Sequence, residues 1–404
     1  MHKEWATSKL GDICEFLDGR RKPVKKADRE KMKGDIPYYG ATGIVDWVDS
    51  YLFNESLVLL GEDGENLRSR VLPMAFKVEG KSWVNNHAHV IRPSSEIDID
   101  FLVQYLNSLD YEPFITGSAQ PKLNQNVCKK IPVNIPSFSE QLKIANILTS
   151  VDNAISKTEA IIEQTEKVKK GLMQQLLTKG IRHTKFKQTE IGEIPEEWDI
   201  GTLRDYSDHI TKGATPTTYG FDWTDAGILF LRNECIKDTG LTLSGSSFIS
   251  AEAHQAMKRS IVKHGDILIT ITGNLGQTCI FDSEHKEANI NQHIARIRIV
   301  DDTLNPLFIN YFLNSEPMRQ MYGLIKTGLA YPQLSLKQVQ EIRVPIPTKE
   351  EQLAIVEVLS RVDQKVSVES NKRQHLEKLK KGLMQSLLTG KVRVKVDDPE
   401  AVTT

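Results

Sequence analysis

Long apolar runs are missing from this 404-residue chain, and no stretch approaches the roughly 20 residues a bilayer-spanning helix needs. The opening MHKEW has no apolar segment, so no signal peptide is expected. Cysteine is scarce: Cys14, Cys128, Cys235 and Cys279 form no close pair. That speaks against a zinc ribbon, a redox dithiol or a disulfide framework, and a cytoplasmic protein is expected. Neither sign of charge dominates, with 52 basic against 53 acidic residues and a net charge of −1. The chain as a whole is no polycation, so any nucleic-acid binding has to come from local patches or partners.

Catalytic signatures are missing too. There is no GxxxxGK[ST] phosphate loop and no Asn-Pro-Pro-Tyr-like amine-methylating motif. GEDG from Gly61 and GNLG from Gly273 read as short turns. The Cys and His residues lack metal-ligand spacing. His87 and His89 are expected on one strand face, where edge packing is the ordinary fate. Glu62-Asp63, and Asp46 with Asp49, could in principle hold Mg²⁺, but acidic turn residues are ordinarily just solvated. No metal site and no catalysis are expected of this chain.

What is present is a phrase said twice. EQLKIANILTSVD from Glu140 returns as EQLAIVEVLSRVD from Glu351, and KKGLMQQLLT from Lys169 returns as KKGLMQSLLT from Lys380. Both offsets are 211 residues (351 minus 140, 380 minus 169), far beyond a solenoid period, so half the protein is duplicated. The parts between are distant copies. Trp5-x4-Leu10-x-Asp12 aligns with Trp198-x4-Leu203-x-Asp205. Asn85-Asn86-His87 aligns with Asn291-Gln292-His293, and TGSAQPKL from Thr116 with TGLAYPQL from Thr327. The predicted organisation is a mixed block at 1–139, a helix at 140–180, a linker at 181–197, a second mixed block at 198–350, a second helix at 351–390 and a polar tail at 391–404.

Both helices carry an apolar stripe at steps of three and four. Ile144, Leu148, Val151, Ile155, Leu172, Met173 and Leu176 line the first, and Ile355, Leu359, Val362, Leu383, Met384 and Leu387 the second. Ser139 is the expected N-cap of the first, with Gly180 and Gly390 as stops. Forty helical residues reach about 60 Å, and two such helices bury their stripes by packing antiparallel, coiled-coil fashion. The fold class is α+β, with two globular parts alternating with two long helices. The near-identical KKGLMQ ends exceed what a generic seam requires, so the stripe is expected to serve partner docking as well.

Recognition chemistry is sought in loops carrying Gly, basic and amide residues, because Gly admits a phosphate and Arg, Lys, Asn and Gln bond base edges. Eight basic residues against two acidic ones lie between Arg20 and Lys33. The candidates in the first block are Arg20, Arg21, Lys22, Lys25 and Lys26, with Tyr38 and Tyr39 as flanking aromatics. In the second block they are Lys212, Thr215, Arg232, Asn233, Asn274 and Gln277.

Taken together, TGSAQPKLN…IPVNIPSFSEQ, TEIGEIPEEW from Thr189 and the GLMQQLLT helix ends, in this order, resemble the specificity subunit of type I restriction–modification systems (HsdS) over essentially the whole chain. The resemblance implies that blocks 1–139 and 198–350 are target recognition domains, each reading half of a bipartite, asymmetric site in double-stranded DNA. It implies that the helices set the gap and dock two modification subunits resembling adenine-N6 methyltransferases, joined by restriction subunits. S-adenosylmethionine, ATP and Mg²⁺ are expected on those partners and no cofactor on this chain. Alternatives are a DNA-binding adaptor of an orphan methyltransferase or other defence system, a stand-alone Mg²⁺-dependent nuclease, and a purely structural coiled-coil scaffold.

Overall fold

The computed structural model describes residues 5–117, 120–237, 239–328 and 332–396. Parts of the TGSAQPKL and TGLAYPQL phrases, Glu4 and the end of the tail lie outside the described residues. Five helices of eight or more residues occur among those described: α1 (Ile99–Ser108), α2 (Phe138–Lys179), α3 (Pro306–Leu313), α4 (Glu316–Ile325) and α5 (Lys349–Leu387). None is long and apolar enough to cross a membrane. The chain forms two compact units, Met1–Ala160 with Ser370–Thr404, and Ile161–Glu369.

In the first unit, one four-stranded antiparallel sheet runs in the order Cys14–Phe16, Ala88–Pro93, Leu57–Gly61, Ala75–Val78. A second runs Gly43–Val48, Lys33–Gly40, Lys81–Val84, Phe53–Asn54, and its central pair is parallel. Ala6–Lys9 pairs antiparallel with Pro132–Ile135, so the block closes on itself just before α2. Val58, Leu60 and Ile91 pack with Phe101, Leu102 and Leu106 of α1, Ile144 and Leu148 of α2, and Leu387 and Leu388 at the end of α5.

The second unit repeats this order. One sheet runs Thr211–Lys212, Ile294–Ile297, Ile267–Thr270, Thr278–Ile280. The other runs Ser247–Ile249, Ile228–Leu231, Glu287–Ile290, Ile261–Lys263, again with one parallel central pair. Asp199–Thr202 closes on Arg343–Ile346 before α5. Ile267, Ile269, Ile297 and Phe308 pack with Leu176 and Leu177 at the end of α2 and with Ile355 and Leu359 at the start of α5. In each unit, then, the start of one long helix and the end of the other share a core, which is antiparallel packing.

The predicted stripe therefore lies inside this chain. Ile144, Leu148, Leu176, Ile355, Leu359 and Leu387 are buried, while Val151, Ile155, Leu172, Met173, Val362, Leu383 and Met384 are half-buried. Leu172, Met173 and Leu176, expected to dock a partner, pack against the second unit's own core, and Leu383 and Met384 against the first's. The repeated KKGLMQ phrase falls where a helix end meets a globular block, and that intrachain contact accounts for the apolar residues within it.

Helix ends follow local chemistry. Helix α2 begins one residue before the expected cap Ser139. Ser137 takes that role, its hydroxyl accepting from the Glu140 N–H at 3.4 Å. Thr348 does the same for Glu351 at 3.3 Å. Gly180, at φ +63°, takes the left-handed conformation that ends α2. Residues 181–197, expected as a plain linker, contain a hairpin of Phe186–Thr189 with Gly192–Pro195.

The same polar contacts occur in both units. Gln141 accepts from the Asp98 N–H at 2.8 Å and donates to Glu96 O and Pro136 O; Gln352 accepts from Asn305 N–H at 2.8 Å and donates to Thr303 O and Pro347 O. Glu140 receives the Trp5 indole N–H at 3.3 Å and Arg393 at 2.6 Å; Glu351 receives Trp198 at 2.9 Å and His183 at 2.9 Å. Lys380 pairs with Asp152 at 2.6 Å and Lys169 with Asp363 at 2.5 Å, the same pair with the helices exchanged.

Candidate nucleic-acid interface

Each parallel strand pair ends at an Asn-x-His turn. In the second unit Asn291 N–H donates to Leu231 O, the Asn291 side chain accepts from His293 N–H at 3.1 Å, and Ile271 N–H donates to His293 O. In the first unit Asn85 N–H donates to Tyr39 O, the Asn85 side chain accepts from His87 N–H at 2.8 Å, and Glu62 N–H donates to His87 O. A third loop joins each turn: Leu123 N–H donates to Glu62 O, and Leu334 N–H to Ile271 O. The backbone thus gathers several loops at equivalent strand ends in both units. Loops fixed by strands in this way suit groove reading, because the register is rigid while the tips vary.

Beside the first turn lies a buried charge network. His89 Nδ1 donates to Asp18 at 2.6 Å and Nε2 to Leu123 O at 2.6 Å. Both partners are acceptors, so the ring carries both protons. Burial works against that charge, but the Asp18 carboxylate outweighs it and the pKa is pushed up to about 10. Burial would raise Asp18, yet its bonds to His89 and the Val90 N–H hold it below the ordinary carboxylate range. Arg21 binds Glu62 at 2.6 Å and Ala88 O at 2.7 Å, and Lys122 reaches Glu62 at 3.1 Å.

This network changes the reading of several candidates. Arg21 is spent on Glu62 and Asp18 and offers nothing to DNA. Tyr38 is buried against Trp83, and its hydroxyl accepts from Val24 N–H at 3.0 Å, so it belongs to the core. Tyr39 is half-buried against Phe76. Arg20 lies over Phe53 and near Glu55 at 3.6 Å, with half its side chain exposed. Lys22, Lys25 and Lys26 are exposed, and no ion pair involves them among the described residues. The Lys22 backbone is pinned to Val84 and to the Trp83 indole, which places it at the Asn85–His87 turn. His87 and His89 do not share a face: His89 is buried, while His87 sits in the turn, half-exposed, with Asp63 at 2.8 Å.

In the second unit, Lys212 is exposed and Thr215 donates to Gln292 at 2.8 Å, which draws the TKGATP loop to the Asn-x-His turn. Arg232 and Asn233 follow Leu231 directly, and the Asn233 amide stands near Gly273. Asn274 is exposed and Gln277 half-exposed on the same 271–277 loop. Thr215, Arg232, Asn233 and Asn274 are thus brought to one loop cluster. Gln292 joins them; its place in the repeated Asn-x-His phrase was the signal that could have found it. Trp223, beneath Arg232, had no such signal.

The acidic candidates do not fit a metal site. Glu62 is bound by Arg21 and Lys122, Asp63 by His87 and Asp46 by Arg29 at 2.8 Å. Asp18, Glu62 and His89 approach one another, but both imidazole nitrogens of His89 are donors and so hold no lone pair for a cation. Burial pushes the Cys14 and Cys279 thiols up to about 12, which keeps them unreactive.

Two like frames with unlike tips, carried on two long helices, define a duplicated recognition protein. The profile of the type I restriction modification DNA specificity domain matches residues 2–167 and 195–378, and the chain belongs to that family. In such systems the specificity chain is the recognition part and is not catalytic. The type I restriction enzyme MjaVIII specificity subunit of Methanocaldococcus jannaschii is 27% identical over 97% of this chain and 94% of its own. A putative type I specificity subunit of Haemophilus influenzae is 28% identical over 89% and 87%. The crystal structure of a type I S subunit from M. genitalium shares the fold, with a TM-score of 0.61 at 14% identity over 97% of both chains.

Proposed function

We propose that the loop clusters of the two units each read one half of a split, asymmetric site in duplex DNA. The observation that carries this reading is one strand frame repeated with different exposed side chains at its tips. Unlike readers prefer unlike half-sites. The chain's near-zero net charge fits a complex in which partner subunits supply much of the phosphate contact. Those partners are two modification subunits of the adenine-N6 methyltransferase class, carrying S-adenosylmethionine, and restriction subunits using ATP and Mg²⁺. The complex acts on DNA in the cytoplasm.

The test is adenine methylation read base by base in cells carrying this gene with its cognate modification gene, against cells lacking only this gene. A split motif with two different halves that disappears with the gene is expected. An unsplit motif, or one that persists without the gene, contradicts the reading. Helix length is proposed to set the gap. Inserting four residues in the middle of α2 then changes the gap and leaves both half-site sequences as they were; altered half-site sequences would refute that.

A further inference from the structure

Resting on the split-site reading above, we infer that Arg232, held in place by Trp223, reads a guanine in the half-site of the second unit, and that the first unit, with Gly40 at the equivalent position, makes no such contact. Arg232 is the residue immediately after the parallel strand Ile228–Leu231. Its guanidinium carbon lies 4.9 Å from the centre of the Trp223 ring. Trp223 stands edge-on to buried Phe230, with centroids 5.0 Å apart and planes at 78°. The indole is braced from the core and in turn supports the guanidinium plane.

Several half-buried arginines among the described residues are taken up by partners of the chain. Arg21 and Arg29 hold carboxylates, and Arg298 grips Asp266 with two nitrogens. Arg232 engages no carboxylate or hydrogen-bond acceptor of the chain among the described residues. A planar fork of donors, oriented but unmet, matches the O6 and N7 acceptors of guanine in the major groove. Asn233, Asn274 and Gln292 add amides to the same loop cluster.

The first unit lacks the equivalent side chain. Asn85 N–H donates to Tyr39 O as Asn291 N–H donates to Leu231 O, so Gly40 occupies the position of Arg232. A Cβ on Gly40 would lie 2.7 Å from Val45 Cγ2. The first chain segment turns back within Ala41 and Thr42, since Gly40 already pairs with Gly43. The second makes a longer excursion from Arg232 to Ser246, anchored by buried Cys235 and Ile236. The same connection therefore carries an arginine in one reader and a glycine, with no side chain to offer, at that point in the other.

Guanine and phosphate are the two acceptors a guanidinium could take, and the methylated motif separates them. The experiment compares wild type with Arg232→Ala, Arg232→Lys, Trp223→Ala and Trp223→Phe, each co-expressed with the modification gene. The wild-type split motif first establishes the reading on which this inference rests; without one, that reading fails and not this contact. Given the motif, Arg232→Ala is expected to lower the preference for guanine at one position of one half-site by about ten- to a hundredfold, with the other half unchanged. Trp223→Ala relaxes the same position alone, and Trp223→Phe, which keeps an aromatic face, restores most of the preference; a merely structural role would weaken methylation without relaxing a single base position. If Arg232→Ala fails to assemble, Arg232→Lys decides, because it keeps the charge and loses the fork. An unchanged motif with uniformly weaker methylation would mean a phosphate contact and overturn the assignment. So would relaxation spread over both halves, or no change in any variant.

Discussion

The two sheet pairs of this chain agree in strand order and in the place of their one parallel pair, and they differ at the tips of those strands. Around the Asn85 turn, the first unit presents Lys22, Lys25 and Lys26 beside a closed glycine turn and an edge strand with exposed Ile44, Val45 and Trp47. Around the Asn291 turn, the second unit presents Arg232, Asn233, Asn274 and Gln292. Polar groups that tie the long helices to the rest of each unit stayed the same after duplication: Gln141 with Gln352, Glu140 with Glu351, Asp152 with Asp363. Groups at the strand ends did not. A frame held by backbone bonds tolerates a change of tip because the tip contributes little to the core.

Paired mutations test whether the frames are equivalent. Leu148 and Leu359 are both fully buried where a long helix starts. Leu148→Ala and Leu359→Ala should each cost about 2–5 kcal/mol, since both leave a cavity in a closed core. Hydrogen exchange should localise each loss to its own unit, and a large loss at only one site would break the equivalence. Next come Glu140→Ala and Glu351→Ala. Each removes the carboxylate that accepts the indole N–H and pairs with Arg393 or His183, and each should cost about 2–3 kcal/mol, the figure being moderated by the partial exposure of Arg393 and His183. Urea unfolding of the two variants measures it.

A third experiment sharpens the contrast, because the network around His89 has no copy. The residue corresponding to His89 in the second unit is the buried Ala295. The folded pKa of His89 lies above its unfolded value near 6.5, so its stabilisation is complete below that value and is lost as pH rises toward about 10. The unfolding free energy from urea titration should fall across that window by an amount on the order of a few kcal/mol, and His89→Gln, neutral at every pH, should remove most of that dependence. An undiminished fall in His89→Gln would contradict the assignment. The smallest effects belong to the exchanged ion pairs. Lys169→Met and Lys380→Met remove half-exposed partners of Asp363 and Asp152 and should each cost at most about 1 kcal/mol. Added salt should reduce both costs alike.

Much of this architecture was legible in the sequence because its signals are local. The 211-residue offset, the stripes at steps of three and four and Gly180 after the last apolar turn each act within a few residues or a direct comparison. What escaped depends on distant pairing. Glu140 stood in the repeated phrase, yet its partner Arg393 is 253 residues away. Arg21 read as a DNA-contact candidate within a basic run, but Glu62 and Asp18 take up its guanidinium. Tyr38 read as a flanking aromatic, but the strand alternation buries it against Trp83. Arg232 and Asn233 were visible as polar residues after an apolar strand, whereas Trp223 beneath Arg232 belongs to another segment.

The most direct measurement is a block replacement at the closing strand pairs. Residues 199–346 replace residues 6–135, so that both positions carry the second reader between equivalent antiparallel junctions. Base-resolution adenine methylation in cells with the cognate modification gene should then give a split motif with the second unit's half-site sequence on both sides of the gap. A motif that kept the first unit's half-site, or lost its division into two halves, would contradict the account of two independent readers on one repeated frame.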